Sequence, residues 1–548
     1  MKQPHGKPPV KPSQKNTPDG KQSGLKQASL QQSGLKQAKT TRRGFLEISA
    51  AAVAGLTLSP LAQSSPLASS ASSMTSAQAP ATGSGSQGIG LPSLTLVEAA
   101  ARIRQKQLSP VELIQAVLDR IAALEPKVGA FITVVAEEAL EAARRAEQEI
   151  QQGSYRGPLH GIPVGFKDTF YTRGIRTTAA TAVLRNFVPD FDATIVRRLK
   201  EAGAIVIGKT NLPEFSFGGF TAGTNNPWDL SRNAGGSSGG SGAALAASFL
   251  LGATGGDTSG SIRNPASTCG VVGHKPTFGV VSRYGVVPIS WTLDHLGPMA
   301  KRVEDCAILL KAIAGYDPND RYSARVPVPD YPALLRRNVR GMQLGMPPST
   351  ALADFHPDTL SAFRRAVQVM ESLGAEVREV TLPPSIHVAS AAQRIIRISD
   401  AATYHRQYLL TRADLYGADN PAGAPVSRVR STVEAGSLLT AAQYLRAQQV
   451  RKVFISEMLQ LYEPLDAFLT PTMPAPAGET ANPAITFRAE FNVLGFPAIS
   501  VPAGFSTAPP GLPIGLQISG KPFQDAVVLA LAYAYESATD WHQRQPAL

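Results

Sequence analysis

The residues that could do chemistry lie in three pieces: GPLHGIPVGFKDTF (Gly157 to Phe170), GGSSGGSG (Gly235 to Gly242) and DTSGSIR (Asp257 to Arg263). Glycine this dense costs backbone entropy in ordinary elements, so a chain tolerates it where backbone must bend sharply or approach a ligand closely. Two such bends, each carrying serine, suggest a catalytic floor. The first piece places a lone lysine, Lys167, beside an apolar run that belongs inside. A lysine held in an apolar setting tends to lose its proton and can then serve as a base.

Other readings of the same residues compete. GGSSG (Gly235 to Gly239) and GSSGG (Gly236 to Gly240) both satisfy G-x-S-x-G, the elbow of the α/β-hydrolases. That elbow needs a buried strand just before it, whereas NPWDLSRNA is a polar turn. His274, His295, His356, His387, His405 and His542 all lie downstream, so residue order alone leaves a histidine triad open. No lysine follows GGSSGGSG in P-loop position, and neither cluster has metal-ligand spacing, so no cofactor and no metal are expected. Ser237 could instead cap a helix beginning near Ser241, and Ser261 one that opens at IRNPA. Asp257 and Arg263 read as a buried pair that holds the turn between them. The two cysteines, Cys269 and Cys306, are expected as buried free thiols.

These pieces need elements to position them. SPVEL (Ser109 to Leu113) offers an N-cap serine, a proline in the first turn and Glu112 three residues on, a capping box. EEALEAARRAEQEIQQG (Glu137 to Gly153) is a second helix stopped by glycine. GAIVIGKT (Gly203 to Thr210) is a short buried strand after the helical TIVRRLKEAG, and MQLGMP, HPDTLSAFRRAVQVMESLG and AEVREVTLP form a strand, helix, strand unit. Such alternation indicates an α/β class with a mixed or parallel sheet. LTPTMPAPAG is expected as a loop, FPAISVPAG and LPIGLQISG as buried strands before a terminal helix. Residues 316–340 and 384–450 are rich in Pro, Arg and Ala, and substrate-side variation is placed there.

With 548 residues, 43% apolar and 17% charged, the chain can bury a large core. Its net charge of +12 is concentrated in residues 1–47, which hold ten Lys or Arg against Asp19 and Glu47. The rest is near balance, so no nucleic-acid partner is expected. Residues 1–41 repeat QSGLKQA and read as a disordered basic leader. Residues 42–79, opening on Arg42 and Arg43 before an apolar small-residue run, resemble a twin-arginine export signal with AQA (Ala77 to Ala79) as cleavage site. Residues 80–92 read as a linker and 93–548 as the catalytic domain. An exported protein, periplasmic or secreted, with no stable membrane association after processing is the expectation.

Taken together, GPLHGIPVGFKD, NPWDLSRNAGGSSGGSGAA and GGDTSGSIRNPASTCGVVGHKPTFG resemble the amidase signature family, and the resemblance runs from about Leu94 to the C-terminus. VVPISWTLDHLGPMAKRVEDCAILL, LTPTMPAPA and FPAISVPAG follow in the order this family shows. The resemblance implies an α/β fold with a large mixed central β-sheet covered by helices on both faces. By motif it makes Lys167 the catalytic lysine, Ser237 the bridging serine after a cis peptide from Gly236, and Ser261 the nucleophile. It places the oxyanion hole on the backbone of Thr258, Ser259, Gly260 and Ser261, and puts the carbonyls of Phe217 and Gly218 against the substrate amide. Ala234 departs from the usual proline, Gly256 and Ser259 depart from the commoner threonine and glycine, and FSFGGFTAGTNNP is short.

The chemistry so implied is hydrolysis of an uncharged small-molecule carboxamide through an acyl-enzyme. Phe170, Tyr171, Phe217, Phe220 and Trp291 hint at an apolar acyl or aryl pocket. The alternatives are a glutamine-hydrolysing subunit of a tRNA-dependent amidotransferase, a carbamate or aryl-acylamide hydrolase, and an exported binding protein on a disused amidase fold. A homodimer is a family expectation.

Overall fold

Local signals settle the first helices. Ser109 caps the helix Pro110–Val128, its hydroxyl accepting from the Val111 and Glu112 N–H groups while the Glu112 carboxylate accepts from the Ser109 N–H. The helix Ala136–Gln151 stops just before Gly153, whose φ of +88° only glycine adopts without strain. This computed structural model describes residues 89–418 and 427–548; the leader, the export segment and the linker as far as residue 88 lie outside the described residues.

The described strands are β1 (Phe131–Val134), β2 (Pro163–Lys167), β3 (Ile205–Thr210), β4 (Asn225–Asn226), β5 (Asp229–Asn233), β6 (Gly252–Asp257), β7 (Val272–Lys275), β8 (His295–Ala300), β9 (Gln343–Met346), β10 (Glu376–Glu379), β11 (Ala467–Pro471), β12 (Ala498–Phe505) and β13 (Pro513–Gly520). Eleven of them form one sheet in the order β1-β3-β2-β6-β8-β7-β12-β13-β11-β9-β10, and β4 pairs with β5 apart from it. Both flanks contain parallel pairs, β2 with β3 and β6, and β9 with β10 and β11. The centre, β6 to β13, is antiparallel. Every residue of β2, β7, β8, β11 and β13 is buried, so side chains on both faces are covered. The result is a large mixed α/β sheet with helices over both faces.

The strand, helix, strand unit is present as β9, the helix Pro357–Ser372 and β10, and it joins this same sheet. LTPTMPAPAG is not all loop: Leu469 to Pro471 close β11, where Pro471 stands opposite Leu516 of β13 at the strand's end. Four strands, β2, β6, β7 and β8, carry no alternation to read. In β6, GATGGD, glycine replaces the usual β-branched residues because neighbours press against the backbone; a Cβ on Gly255 would come within 2.7 Å of Ile262 Cγ1. The weakly punctuated 384–450 stretch holds the helices Ile386–Arg412 and Arg428–Ser437 and the start of Ala441–Tyr462.

Candidate active site

Because β2 runs parallel to β6, with Val164 opposite Gly252, the ends of both strands emerge at one edge of the sheet. Lys167 ends β2, and Asp257 ends β6 and leads into the second serine cluster. Lys167 is only 1% exposed, and its Nζ donates to Ser237 Oγ at 2.7 Å. Burial pushes the ammonium down to about 7, with Asp294 and Asp257 opposing. Burial alone does not single Lys167 out, because Lys209 and Lys275 are fully buried too. Lys209 pairs with Asp168 at 3.2 Å and Lys275 donates to the Phe496 carbonyl. Among these three only Lys167 has a serine hydroxyl as its partner.

The Gly236–Ser237 peptide is cis. Ser237 does not cap a helix: the helix Gly239–Ala246 begins after Ser238 without a side-chain cap. Its opening glycines serve close approach, since a Cβ on Gly240 would collide with Asn211 N and the Ala130 carbonyl. Asn264 Nδ2 clamps the turn from beneath, donating to the carbonyls of Gly236 at 3.0 Å and Gly219 at 2.9 Å. The polar stretch before this cluster is the β4–β5 hairpin, outside the central sheet, so the α/β-hydrolase elbow is absent.

Ser261 is not a cap either, for the helix Arg263–Cys269 opens after Ile262 without one. The Ser261 carbonyl accepts from the Ser238 N–H at 3.2 Å, which ties the two clusters together. Asp257 and Arg263 are both fully buried and doubly bonded, Nε to Oδ2 and Nη2 to Oδ1 at 3.0 Å each. Burial alone would raise the Asp257 carboxyl, but the Arg263 charge and hydrogen bonds hold it well below the usual range. Cys269 and Cys306 are buried free thiols.

One expected oxyanion donor is lost. The Gly260 N–H donates to Asp257 Oδ1 at 2.7 Å and so is committed to holding the turn. The N–H groups of Thr258, Ser259 and Ser261 have no acceptor among the described residues. Gln393, which carries no sequence signal, braces the turn from the helix Ile386–Arg412, with Nε2 donating to the Thr258 carbonyl at 2.9 Å and to Ser259 Oγ at 2.6 Å.

Ser261 opens on a cleft of about 480 Å³ whose wall includes Phe217, Gly218, Gly236, Thr258 and Ser259. Of the five aromatics expected to form an apolar pocket, Phe217 alone lines this cleft. Phe170 is fully buried in the core, Tyr171 packs edge-on against Phe187 and Phe191, Phe220 is exposed, and Trp291 lines a separate cleft. Aromatic spacing in sequence could not separate core from cavity. Among the described residues no group of acids, histidines and cysteines is arranged to hold a metal.

A family model described as Amidase matches residues 112–529. The chain belongs to the amidase signature family. This amidase is 42% identical over 486 residues to the A-type subunit of the glutamyl-tRNA(Gln) amidotransferase of Desulfatibacillum aliphaticivorans, covering 84% of this chain and 100% of that protein. Its fold superposes on the peptide amidase from Stenotrophomonas maltophilia with a TM-score of 0.73 at 32% identity, covering 83% and 98% of the two chains. A bacterial aryl acylamidase of the amidase signature family gives 0.75 at 27% identity, over 83% and 98%. The chain is thus an amidohydrolase, and the proteins it is similar to include a peptide amidase, an aryl acylamidase and one subunit of an amidotransferase.

Proposed function

We propose that this amidase cleaves the carbon–nitrogen bond of a small-molecule carboxamide, with Ser261 as nucleophile, Ser237 as proton relay and Lys167 as base. The observation that carries this reading is the 2.7 Å contact between the buried Lys167 Nζ and Ser237 Oγ, one residue before Ser238, whose N–H is bonded to the carbonyl of the cleft-lining Ser261. A serine hydroxyl is a weak nucleophile until a base takes its proton. Neutral Lys167 takes the Ser237 proton as Ser237 takes that of Ser261, and the Ser261 oxygen bonds to the amide carbon. The unengaged N–H groups of Thr258, Ser259 and Ser261 are the donors for the resulting oxyanion. Ser237 then protonates the departing nitrogen, the carbon–nitrogen bond breaks, and water releases the carboxylate from the acyl-enzyme.

The reading is tested by amide hydrolysis in wild type and Ser261→Ala. Retained turnover in a folded Ser261→Ala protein removes Ser261 as nucleophile. A pH profile tests the base. Below about 7 Lys167 is an ammonium with no lone pair to offer, and above that it is neutral. The logarithm of kcat/KM should therefore climb with unit slope as pH rises toward about 7 and level off above it. A flat profile across that range speaks against Lys167.

A second reading, the glutamine-hydrolysing subunit of a tRNA-dependent amidotransferase, is favoured by the relative that matches 42% over its whole length. It uses the same acyl-enzyme step on glutamine and needs partner subunits. Export is the proposal that separates the two by compartment. Arg42→Lys with Arg43→Lys should strand the precursor in the cytoplasm, as fractionation and immunoblotting would read; unchanged export sinks the twin-arginine proposal.

A further inference from the structure

The cleft that exposes Ser261 is rimmed by four arginines, Arg394, Arg397, Arg428 and Arg488, and among the described residues its lining contains no aspartate, glutamate or lysine. Arg394 and Arg397 share one face of the helix Ile386–Arg412, three residues apart; Arg428 opens the helix Arg428–Ser437; Arg488 precedes the helix Ala489–Leu494. Three separate elements thus aim guanidinium groups at one small volume.

None of the four forms an ion pair within the described residues. The Nε atoms of Arg397 and Arg488 are buried with no hydrogen-bond partner, an unusual state for groups that cost so much to desolvate. Arg397 instead lies over the Phe217 ring, 5.6 Å from its centroid, and Arg488 reaches Met473 Sδ at 3.5 Å. Burial, then the neighbouring Arg394 charge, pushes Arg397 down to about 10 against the pull of Asp294. The nearby acids form no ion pair with the four: Asp257 binds Arg263, Asp294 accepts from Thr258, Ile289 and Ser290, and Glu490 accepts from Thr486 while attracting the Arg488 charge without pairing with it.

Clustered cations with unspent donors repel one another unless an anion joins them. We propose that the substrate of this amidase is an anion, a carboxamide that also carries at least one carboxylate, held by Arg397 and Arg488 with Arg394 and Arg428 at the cleft mouth. The planar guanidinium offers two parallel N–H groups to a carboxylate, which fixes orientation as well as affinity. Such a substrate is a half-amide of a dicarboxylic acid. An α-amino amide such as glutamine fits less well, because the described residues of the cleft lining supply no carboxylate for its ammonium. This inference rests on the amidohydrolase reading and names its substrate class.

Isothermal titration of full-length Ser261→Ala with succinamate, glutaramate and terephthalamate, each against its neutral diamide and all against glutamine, tests it at constant ionic strength. At least one half-amide should bind about ten-fold or more tighter than its diamide and tighter than glutamine. Arg397→Gln should erase that preference and Arg397→Lys restore part of it. Arg428→Gln, at an exposed position, keeps the test open should Arg397→Gln not fold, and should weaken the half-amide alone. Diamides or glutamine binding as tightly as the half-amides, no binding of any half-amide, or an unchanged preference in both folded glutamine variants would overturn the proposal. Wild type that keeps the anion preference but releases neither ammonia nor amine from the panel would instead count against the hydrolytic reading.

Discussion

Lys167→Ala should lower kcat by roughly a hundred- to ten-thousand-fold, the range that a positioned general base contributes. The reason is local and specific. Lys167 Nζ sits 2.7 Å from Ser237 Oγ and the lysine is almost wholly buried, so no bulk base replaces it. Because burial already lowers the amine to about 7, removing it takes away a desolvated group that has no ion-pair partner among the described residues, and should spare the fold. Circular dichroism and thermal melting would verify the fold while ammonia release reports kcat. Lys167→Arg makes the contrast sharper, since a guanidinium keeps its charge at every working pH and cannot accept a proton. A folded Lys167→Ala protein with near-normal kcat would reject Lys167 as base.

Arg263→Met should destabilise the protein by about 3–5 kcal/mol, the cost of leaving a buried charge without its partner. The guanidinium binds both Asp257 oxygens, Gln517 Oε1 at 2.6 Å, Asn492 Oδ1 at 2.7 Å and the Arg488 carbonyl at 3.1 Å. It therefore joins the end of β6 to β13 and to the segment around the helix Ala489–Leu494. Asp257 in turn takes the Gly260, Ile262 and Arg263 N–H groups, so its loss of a partner reaches the turn that carries Ser261. Urea unfolding would show the loss, and kcat should fall with it. The sign with pH follows from the depressed carboxyl. Asp257 contributes in full above its ordinary value of about 3.9 and loses its contribution only as pH falls toward the lower folded-state value. An Arg263→Met protein as stable as wild type at pH 7 would mean that the pair does not hold the turn.

Where the signal was local, sequence was enough. Ser109, Pro110 and Glu112 lie within one helical turn, so the capping box could be read before the helix was seen. The Asp257–Arg263 pair spans six residues and was likewise legible. The strands β2, β6, β7 and β8 escaped because their residues are small or uniformly buried and show no alternation. The commitment of the Gly260 N–H to Asp257 escaped too, since a glycine in a turn says nothing about where its amide points.

Of the aromatics expected at the pocket only Phe217 lines the cleft, and arginines supply much of the rest, for a related reason. Arg394, Arg397 and Arg428 lie more than 130 residues beyond Ser261, in a stretch without strong punctuation, and reach the cleft only because the helix Ile386–Arg412 lies against it. Residue type and setting singled out Lys167 and the two serine-bearing glycine clusters, and the resemblance to the amidase signature family picked Ser237 and Ser261 from them. Tertiary structure decided the rest. Of three fully buried lysines it brings one to a serine hydroxyl, and it gathers four cations from three elements at one serine. Partner choice in a folded chain is set by which backbone segments pack together, and electrostatic environment is a sum over those neighbours, so neither is written in any one stretch of sequence.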